Sequence, residues 1–283
     1  MRWWRRAALG AALVVMLVAG AAAQQGREAL VQRGAALVNG IAGCGNCHTE
    51  KGPTGADLPG RNLAGGQVLE EPGVFRAVAA NITPDHATGI GGWTDAQIGR
   101  AIREGLRPDG SLVGPPMPIE LYRGISDADL AAMVAYLRTV APVRNQVARS
   151  TYTMSLPPAY GPPVTSVAAP ADTPVARGAY LAGPLGHCLE CHTPMGPTGR
   201  DWSRTGAGGP PIHGPWGAAV PRNITPAALG TWTDAQVIRA VTQGISADGH
   251  RLGPPMGFGY YARMSQAELR DLVAYLRSLP PRE

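Results

Sequence analysis

The sequence predicts an all-α chain built as two tandem domains with long Gly/Pro-rich loops. Three observations carry that expectation. The second half of the chain repeats the first, the repeated segments carry helix caps and helical apolar spacing, and no convincing β alternation lies between them. With 283 residues the chain is long enough for about two ordinary domains. Its 38 Gly and 27 Pro predict much turn and loop, and its two Phe leave a conventional aromatic core missing.

The first element is a leader. Arg2, Arg5 and Arg6 precede an unbroken apolar run from Ala7 to Gly20, and Ala21-Ala22-Ala23 offers small residues for a peptidase. That is the layout of a secretory signal peptide over residues 1–23, with an uncleaved anchor as the competing reading. The run is short for a spanning helix, which needs about 20 apolar residues. The formal charge of +5 depends on this segment. Without its three arginines, 22 basic residues face 20 acidic ones, a charge of +2. There is a single Lys and no basic run beyond the leader, so a nucleic-acid partner is not expected.

The repeat follows. Trp93–Met117 and Trp232–Met256 align without a gap, with 14 of 25 positions identical. Asn-Ile-Thr-Pro occurs at 81–84 and 223–226, and Ala-Tyr-Leu-Arg at 135–138 and 274–277, in the same order. A unit of about 140 residues is too long for a solenoid repeat and reads as a duplicated domain. The domains are placed at 25–145 and 173–283. Residues 146–172, with Pro157-Pro158 and Pro162-Pro163, form an extended linker across the surface.

Within each copy a short helix runs into the cysteines, through Arg33-Gly34-Ala35 in the first and Arg177-Gly178-Ala179 in the second. A second helix opens on the capping boxes Thr94/Gln97 and Thr233/Gln236 and stops at Gly105 and Gly244. The third helix follows Ser126 with Leu130, Met133, Val134 and Leu137 on one face. Its copy follows Ser265, boxed by Glu268, with Leu269, Leu272, Val273 and Leu276.

Cys44-Gly45-Asn46-Cys47-His48 and Cys188-Leu189-Glu190-Cys191-His192 carry the chemistry. Two thiols three residues apart fall on one side of a helical turn, where each can add to a vinyl group of haem, and the adjacent His reaches the iron. A redox dithiol, a disulfide and a zinc ribbon are the competing readings. The ribbon is disfavoured because its pairs sit about 15–20 residues apart, whereas these are in separate copies. The expected cofactors are two covalently attached haem c groups.

The second iron ligand is found by elimination. Met1 and Met16 lie in the leader, Met133 on an apolar helix stripe, and Met195 too close to His192. Met154 and Met264 have no counterpart in the other copy. Met117 and Met256 correspond, each after Gly-Pro-Pro in a loop that the prolines stiffen. His86, His187, His213 and His250 lack partners in the other copy and read as surface or loop residues. Trp93 and Trp232 read as core aromatics, or as neighbours of a haem edge.

The order Cys-x-x-Cys-His, Asn-Ile-Thr-Pro, Gly-x-Trp-Thr-x-x-Gln, Asp-Gly, Pro-Pro-Met, Ala-Tyr-Leu-Arg resembles the class I cytochrome c domain. More narrowly it is similar to the cytochrome c subunits that accompany periplasmic alcohol, aldehyde and related dehydrogenases of bacteria. The resemblance implies thioethers at Cys44, Cys47, Cys188 and Cys191, with iron held by His48 and Met117 in one domain and His192 and Met256 in the other. Subunits of that type often hold three haems where this chain has two, which leaves the partner open.

The expected function is electron transfer, with no catalytic residues. The donor is a periplasmic dehydrogenase, and the acceptor is an oxidase or another cytochrome. The expected location is periplasmic. A membrane enters only through an uncleaved N-terminal anchor, a tether to the inner membrane, or a partner subunit. The rival class, a di-haem peroxidase or thiosulfate-oxidising cytochrome, needs one haem that opens or carries a different ligand. The repeated Gly-Pro-Pro-Met shows no such asymmetry.

Overall fold

In each half of the chain, an N-terminal helix and a C-terminal helix cross at a glycine. The computed structural model describes residues 20–283 other than 21, 54, 198 and 215. The leader read at 1–23 therefore lies almost wholly outside the described residues. No helix among the described residues is long and apolar enough to cross a membrane.

The first half runs α1 (22–38), α2 (Cys44–His48), a hairpin of β1 (Val68–Glu71) and β2 (Phe75–Val78), α3 (Asp95–Arg103), α4 (Ile119–Tyr122) and α5 (Asp127–Leu137). A short strand β3 (Thr151–Tyr152) then joins the hairpin. The second half runs α6 (Pro174–Tyr180), a π-helical turn (Leu181–Leu185), α7 (Cys188–Cys191), and the small hairpins β4 (Met195–Gly196)/β5 (Gly199–Arg200) and β6 (Ile212–Gly214)/β7 (Gly217–Ala219). It continues with α8 (Pro226–Leu229), α9 (Asp234–Gln243), α10 (Phe258–Tyr261) and α11 (Gln266–Ser278).

The all-α expectation is corrected here. Helix accounts for 37% and strand for 11%, the strands forming three small antiparallel sheets. None of these strands exceeds four residues, too short for an alternation to stand out. A turn signal was nonetheless present. Pro72-Gly73 joins β1 to β2, Gly73 has φ +77°, and Val74 N–H donates to Glu71 O at 2.9 Å, the form of a type II turn.

The helix signals hold. Thr94/Gln97, Thr233/Gln236 and Ser265/Glu268 form closed capping boxes, and Ser126 caps α5 through Asp129 N–H. Gly105 and Gly244 terminate α3 and α9 at φ +66°. Met133, Val134 and Leu137 on α5, and Leu269, Leu272, Val273 and Leu276 on α11, are buried in one continuous core that draws on both halves.

The Arg-Gly-Ala repeats have a packing reason. A Cβ on Gly34 would collide with Ala132 O, and one on Gly178 with Asp271 O. At these points α1 meets α5 and α6 meets α11 with the backbones in direct contact. The preceding arginine clamps each crossing. Arg177 Nε donates to Asp271 Oδ2 at 2.6 Å, and Arg33 Nε to Asp129 Oδ1 at 2.8 Å. Arg33 also reaches Glu268 across the halves at 3.2 Å.

Ala-Tyr-Leu-Arg acts as a second clamp. Arg138 donates to Ile90 O and Trp93 O and pairs with Asp95, and Arg277 does the same with Leu229 O, Trp232 O and Asp234. The C-terminal helix of each half thus fixes the entry to its α3 or α9.

The Pro-rich segment lies on the first half. Tyr160 Oη donates to Val113 O at 2.9 Å, and Asp127 N–H donates to Val167 O at 2.9 Å. Between the halves, Tyr180 Oη donates to Asp129 Oδ2 at 2.9 Å and accepts from Ser126 N–H at 3.0 Å. Gly186 fits against Ile41, Gly124 against Pro184, and β1 lies against β6.

Three outcomes are expected. Gly178→Ala forces two helix backbones apart and lowers stability by about 1–3 kcal/mol in urea denaturation. Gly92→Ala, with almost open space around it, changes little. Burial raises the Tyr180 phenol to about 12, so the folded form keeps its proton where the unfolded form loses it near pH 10. Its contribution is full below pH 10 and lost as pH rises toward 12. A stability-versus-pH curve of Tyr180→Phe should fall less steeply over that window than that of the parent.

Candidate functional site

Each Cys-x-x-Cys-His segment begins with a residue in the left-handed region. Gly43 (φ +54°) precedes α2 and His187 (φ +40°) precedes α7, so the chain turns sharply into a single helical turn. That turn presents Cys44 and Cys47, or Cys188 and Cys191, on one side. All four thiols are half-buried and free. Burial raises Cys44 and Cys191 to about 12 and Cys47 and Cys188 to about 11. A reactive redox thiol has the opposite shift, and neither pair forms a disulfide.

The histidines are fixed by the backbone. His48 Nδ1 lies 2.8 Å from Ala80 O, and His192 Nδ1 lies 2.6 Å from Arg222 O. A carbonyl only accepts, so Nδ1 carries the proton and the Nε2 lone pair is left for a metal. Burial lowers both imidazole pKa values and keeps the rings neutral.

The carbonyls are positioned by Asn-Ile-Thr-Pro, a role the sequence reading did not assign. Asn81 Oδ1 accepts from Thr83 N–H at 3.0 Å, and Asn223 Oδ1 from Thr225 N–H at 2.8 Å. Their amide groups donate to Val143 O and Arg282 O, beyond the last helix of each half. Ala80 and Arg222 are the residues immediately before these turns. The recurrence of the motif was the signal that could have exposed the role.

Met117 and Met256 are half-buried and pack against the core, as do Cys44 and Cys188. The loops that carry them are pinned upstream. Val113 N–H donates to Gly105 O at 2.7 Å, and Leu252 N–H to Gly244 O at 2.7 Å. Both Pro-Pro bonds, 115–116 and 254–255, are cis.

Of the remaining histidines, His250 is exposed and paired with Asp248 at 2.8 Å, and His213 faces Glu71 at 3.2 Å. His187, read as a surface or loop residue, lies in the loop between the π-helical turn and α7. Its ring meets buried Tyr122 edge-on at 5.9 Å, within the contact between the halves. Trp93 and Trp232 are half-buried against the core.

The donor set of each half fits a covalently attached haem: two unpaired thiols, a neutral imidazole with free Nε2, and a thioether on a pinned loop. Trp216 Nε1, on the hairpin segment between Gly208, which donates to His192 O at 3.1 Å, and Arg222, is a buried donor without a partner among the described residues. Such a donor suits a carboxylate of the group.

Comparison with known proteins agrees. The cytochrome c family model matches residues 31–141 and 175–280. The chain is 31% identical over 301 residues to the cytochrome c subunit of alcohol dehydrogenase (quinone) from Gluconobacter oxydans, covering 98% of this chain and 60% of that protein. It is 34% identical over 257 residues to a diheme cytochrome c-type protein of Cereibacter sphaeroides, covering 84% and 82%. It is 30% identical over 255 residues to the fructose dehydrogenase cytochrome subunit of Gluconobacter japonicus, covering 84% and 50%. The chain thus spans about three fifths of the length of its alcohol dehydrogenase relatives. Two family matches, each enclosing one Cys-x-x-Cys-His turn, show that this chain belongs to the cytochrome c family and carries haem c.

Proposed function

We propose that this chain is a di-haem c-type cytochrome that carries electrons between a periplasmic dehydrogenase and a respiratory acceptor. The observation that carries the reading is the paired site. In each half, a Cys-x-x-Cys turn precedes a histidine whose Nδ1 is committed to a backbone carbonyl. Thioethers form at Cys44 and Cys47 and at Cys188 and Cys191. His48 and Met117 hold one iron, and His192 and Met256 the other. When bound, haem of this ligation exchanges single electrons at its iron, and the soft thioether raises the potential.

The protein's part is to hold the ligands still. Ala80 O and Arg222 O lock the imidazole tautomers, and the pinned loops at 105–113 and 244–252 set where each methionine starts. Both irons are then closed, which suits transfer of electrons rather than turnover of a substrate. The domains are 25–145 and 173–283, joined by 146–172 after a leader at 1–23.

The dehydrogenase donor is favoured by relatives that are cytochrome subunits of alcohol and fructose dehydrogenases. The acceptor is an oxidase or another cytochrome. The leader favours the periplasm, where free thiols meet the haem that is attached to them.

The purified protein should stay red after denaturation, because thioether-bound haem remains on the chain. Cys188→Ala/Cys191→Ala should halve the haem per chain, and loss of no haem would refute attachment there. Carbon monoxide should bind neither haem of the reduced parent readily, whereas Met117→Ala should open one. Ready binding to the parent protein would favour an enzyme with an open site. Mixing the oxidised cytochrome with candidate periplasmic dehydrogenases and their substrates, and following reduction of both haems, tests the donor.

A further inference from the structure

The two attachment turns are copies, yet the opposite half covers them differently. Asn46, inside the first turn, donates from Nδ2 to Pro255 O at 3.2 Å. Pro255 immediately precedes Met256, the thioether assigned above to the second iron. Asn46 also packs on buried Gly257, where an added Cβ would stand 3.7 Å from the amide. The first turn therefore grips the second half's methionine loop from both sides of Met256.

The grip is built into the surrounding residues. A Cβ on Gly45 would stand 2.5 Å from the Tyr260 hydroxyl, so the end of the Tyr260 ring lies directly over the glycine. Tyr260 is held in turn by Arg263 over its ring at 5.2 Å, and Arg263 donates to Asn39 O in the first half at 3.0 Å. On the other turn the equivalent residues are Leu189 and Glu190. Among the described residues, Glu190 makes no hydrogen bond to the Met117 loop. The first half's α4 instead reaches over through Tyr122 against His187, and its Glu120 accepts from Trp202 Nε1 at 3.1 Å.

We propose that Asn46 is a positioning residue for the second haem: its amide holds Pro255 O and so keeps Met256 on the second iron. Retention of Met256 in the second half is then governed from the attachment turn of the first. The inference rests on the reading that Met256 ligates iron. A hydrogen bond of ordinary net strength, about 1 kcal/mol, corresponds to about a fivefold change in the fraction of protein with Met256 detached.

Imidazole, which competes with methionine for ferric haem, reads that fraction. Titration of the haem-loaded full chain gives an affinity for each haem, with Met117→Ala and Met256→Ala identifying which spectral change belongs to which. In Asn46→Leu, imidazole affinity at the second haem should rise about fivefold, with the first unchanged. Asn46→Asp keeps the side-chain shape without the donor and should behave as Leu does. If Met256→Ala opens the second haem but both Asn46 variants leave its affinity at the parent value, the inference fails and the ligation reading stands. Equal loosening of both haems would also overturn it, since that is general loss of stability. If Met256→Ala leaves imidazole binding unchanged, the ligation reading itself falls.

Discussion

The contact on which each half depends is the hydrogen bond from a histidine Nδ1 to a backbone carbonyl. It is a single bond, but it can form only if three separate segments arrive together. The attachment turn supplies the ring. The residue before Asn-Ile-Thr-Pro supplies the carbonyl. The glycine pair at 65–66, with its copy at 208–209, closes the gap through Gly65 N–H to His48 O at 2.8 Å and Gly208 N–H to His192 O at 3.1 Å. A Cβ on Gly65 would meet the Ala79–Asn81 backbone, so the strand-like approach beneath the histidine requires glycine. Asn81 and Asn223 then tie the whole assembly to the chain leaving the last helix. A wrong tautomer would leave the lone pair facing a carbonyl.

Much of this was legible because duplication doubles the signal. The capping boxes, the glycine stops and the apolar faces of α5 and α11 depend on neighbours within four residues, so they can be read locally. The cysteine turns are likewise local. The sheets were missed because a two- to four-residue strand has no periodicity to display, and its stability comes from pairing with a segment the sequence does not name. The packing partner of His187 was hidden for the same reason. Nothing beside it in sequence announces Tyr122, which arrives from the other half. Asn-Ile-Thr-Pro was visible as a pattern, but its role passes through the carbonyl of the preceding residue, where side-chain identity carries no information. Ala80 and Arg222 could hardly differ more as residues, yet they do the same work.

The arginines show how a repeated device can drift without being lost. Arg33 and Arg177 occupy the same place beside the same glycine crossing. Arg177 pairs with Asp271, one turn along α11 from Glu268. Arg33 pairs with Asp129, whose counterpart is Glu268, and takes Glu268 as well. The crossing is set by backbone contact at Gly34 and Gly178, which tolerates no variation, while the acid can sit one turn away because a guanidinium has reach and several donors. Backbone contact fixes the geometry, and charge follows it.

Where the copies differ at the turns themselves, the difference marks contact between halves rather than a difference in chemistry. The two Cys and one His of each turn, and a later Met in each half, are the same in both. The residues between and before them are not: Gly43, Gly45 and Asn46 answer to His187, Leu189 and Glu190. Gly45 is buried under Tyr260, and His187 accepts a left-handed backbone while its ring meets Tyr122. A non-glycine residue at φ +40° is unfavourable unless its surroundings hold it. The edge contact with Tyr122 and the 3.4 Å approach to Glu190 are what hold this one. Two copies docked face to face cannot both keep the same interfacial side chains unless the contact is symmetric. Here one turn is clasped through a small, hydrogen-bonding surface and the other through the His187 ring. The asymmetry absent from the Cys, His and Met positions is therefore present beside them, at the contact between the halves.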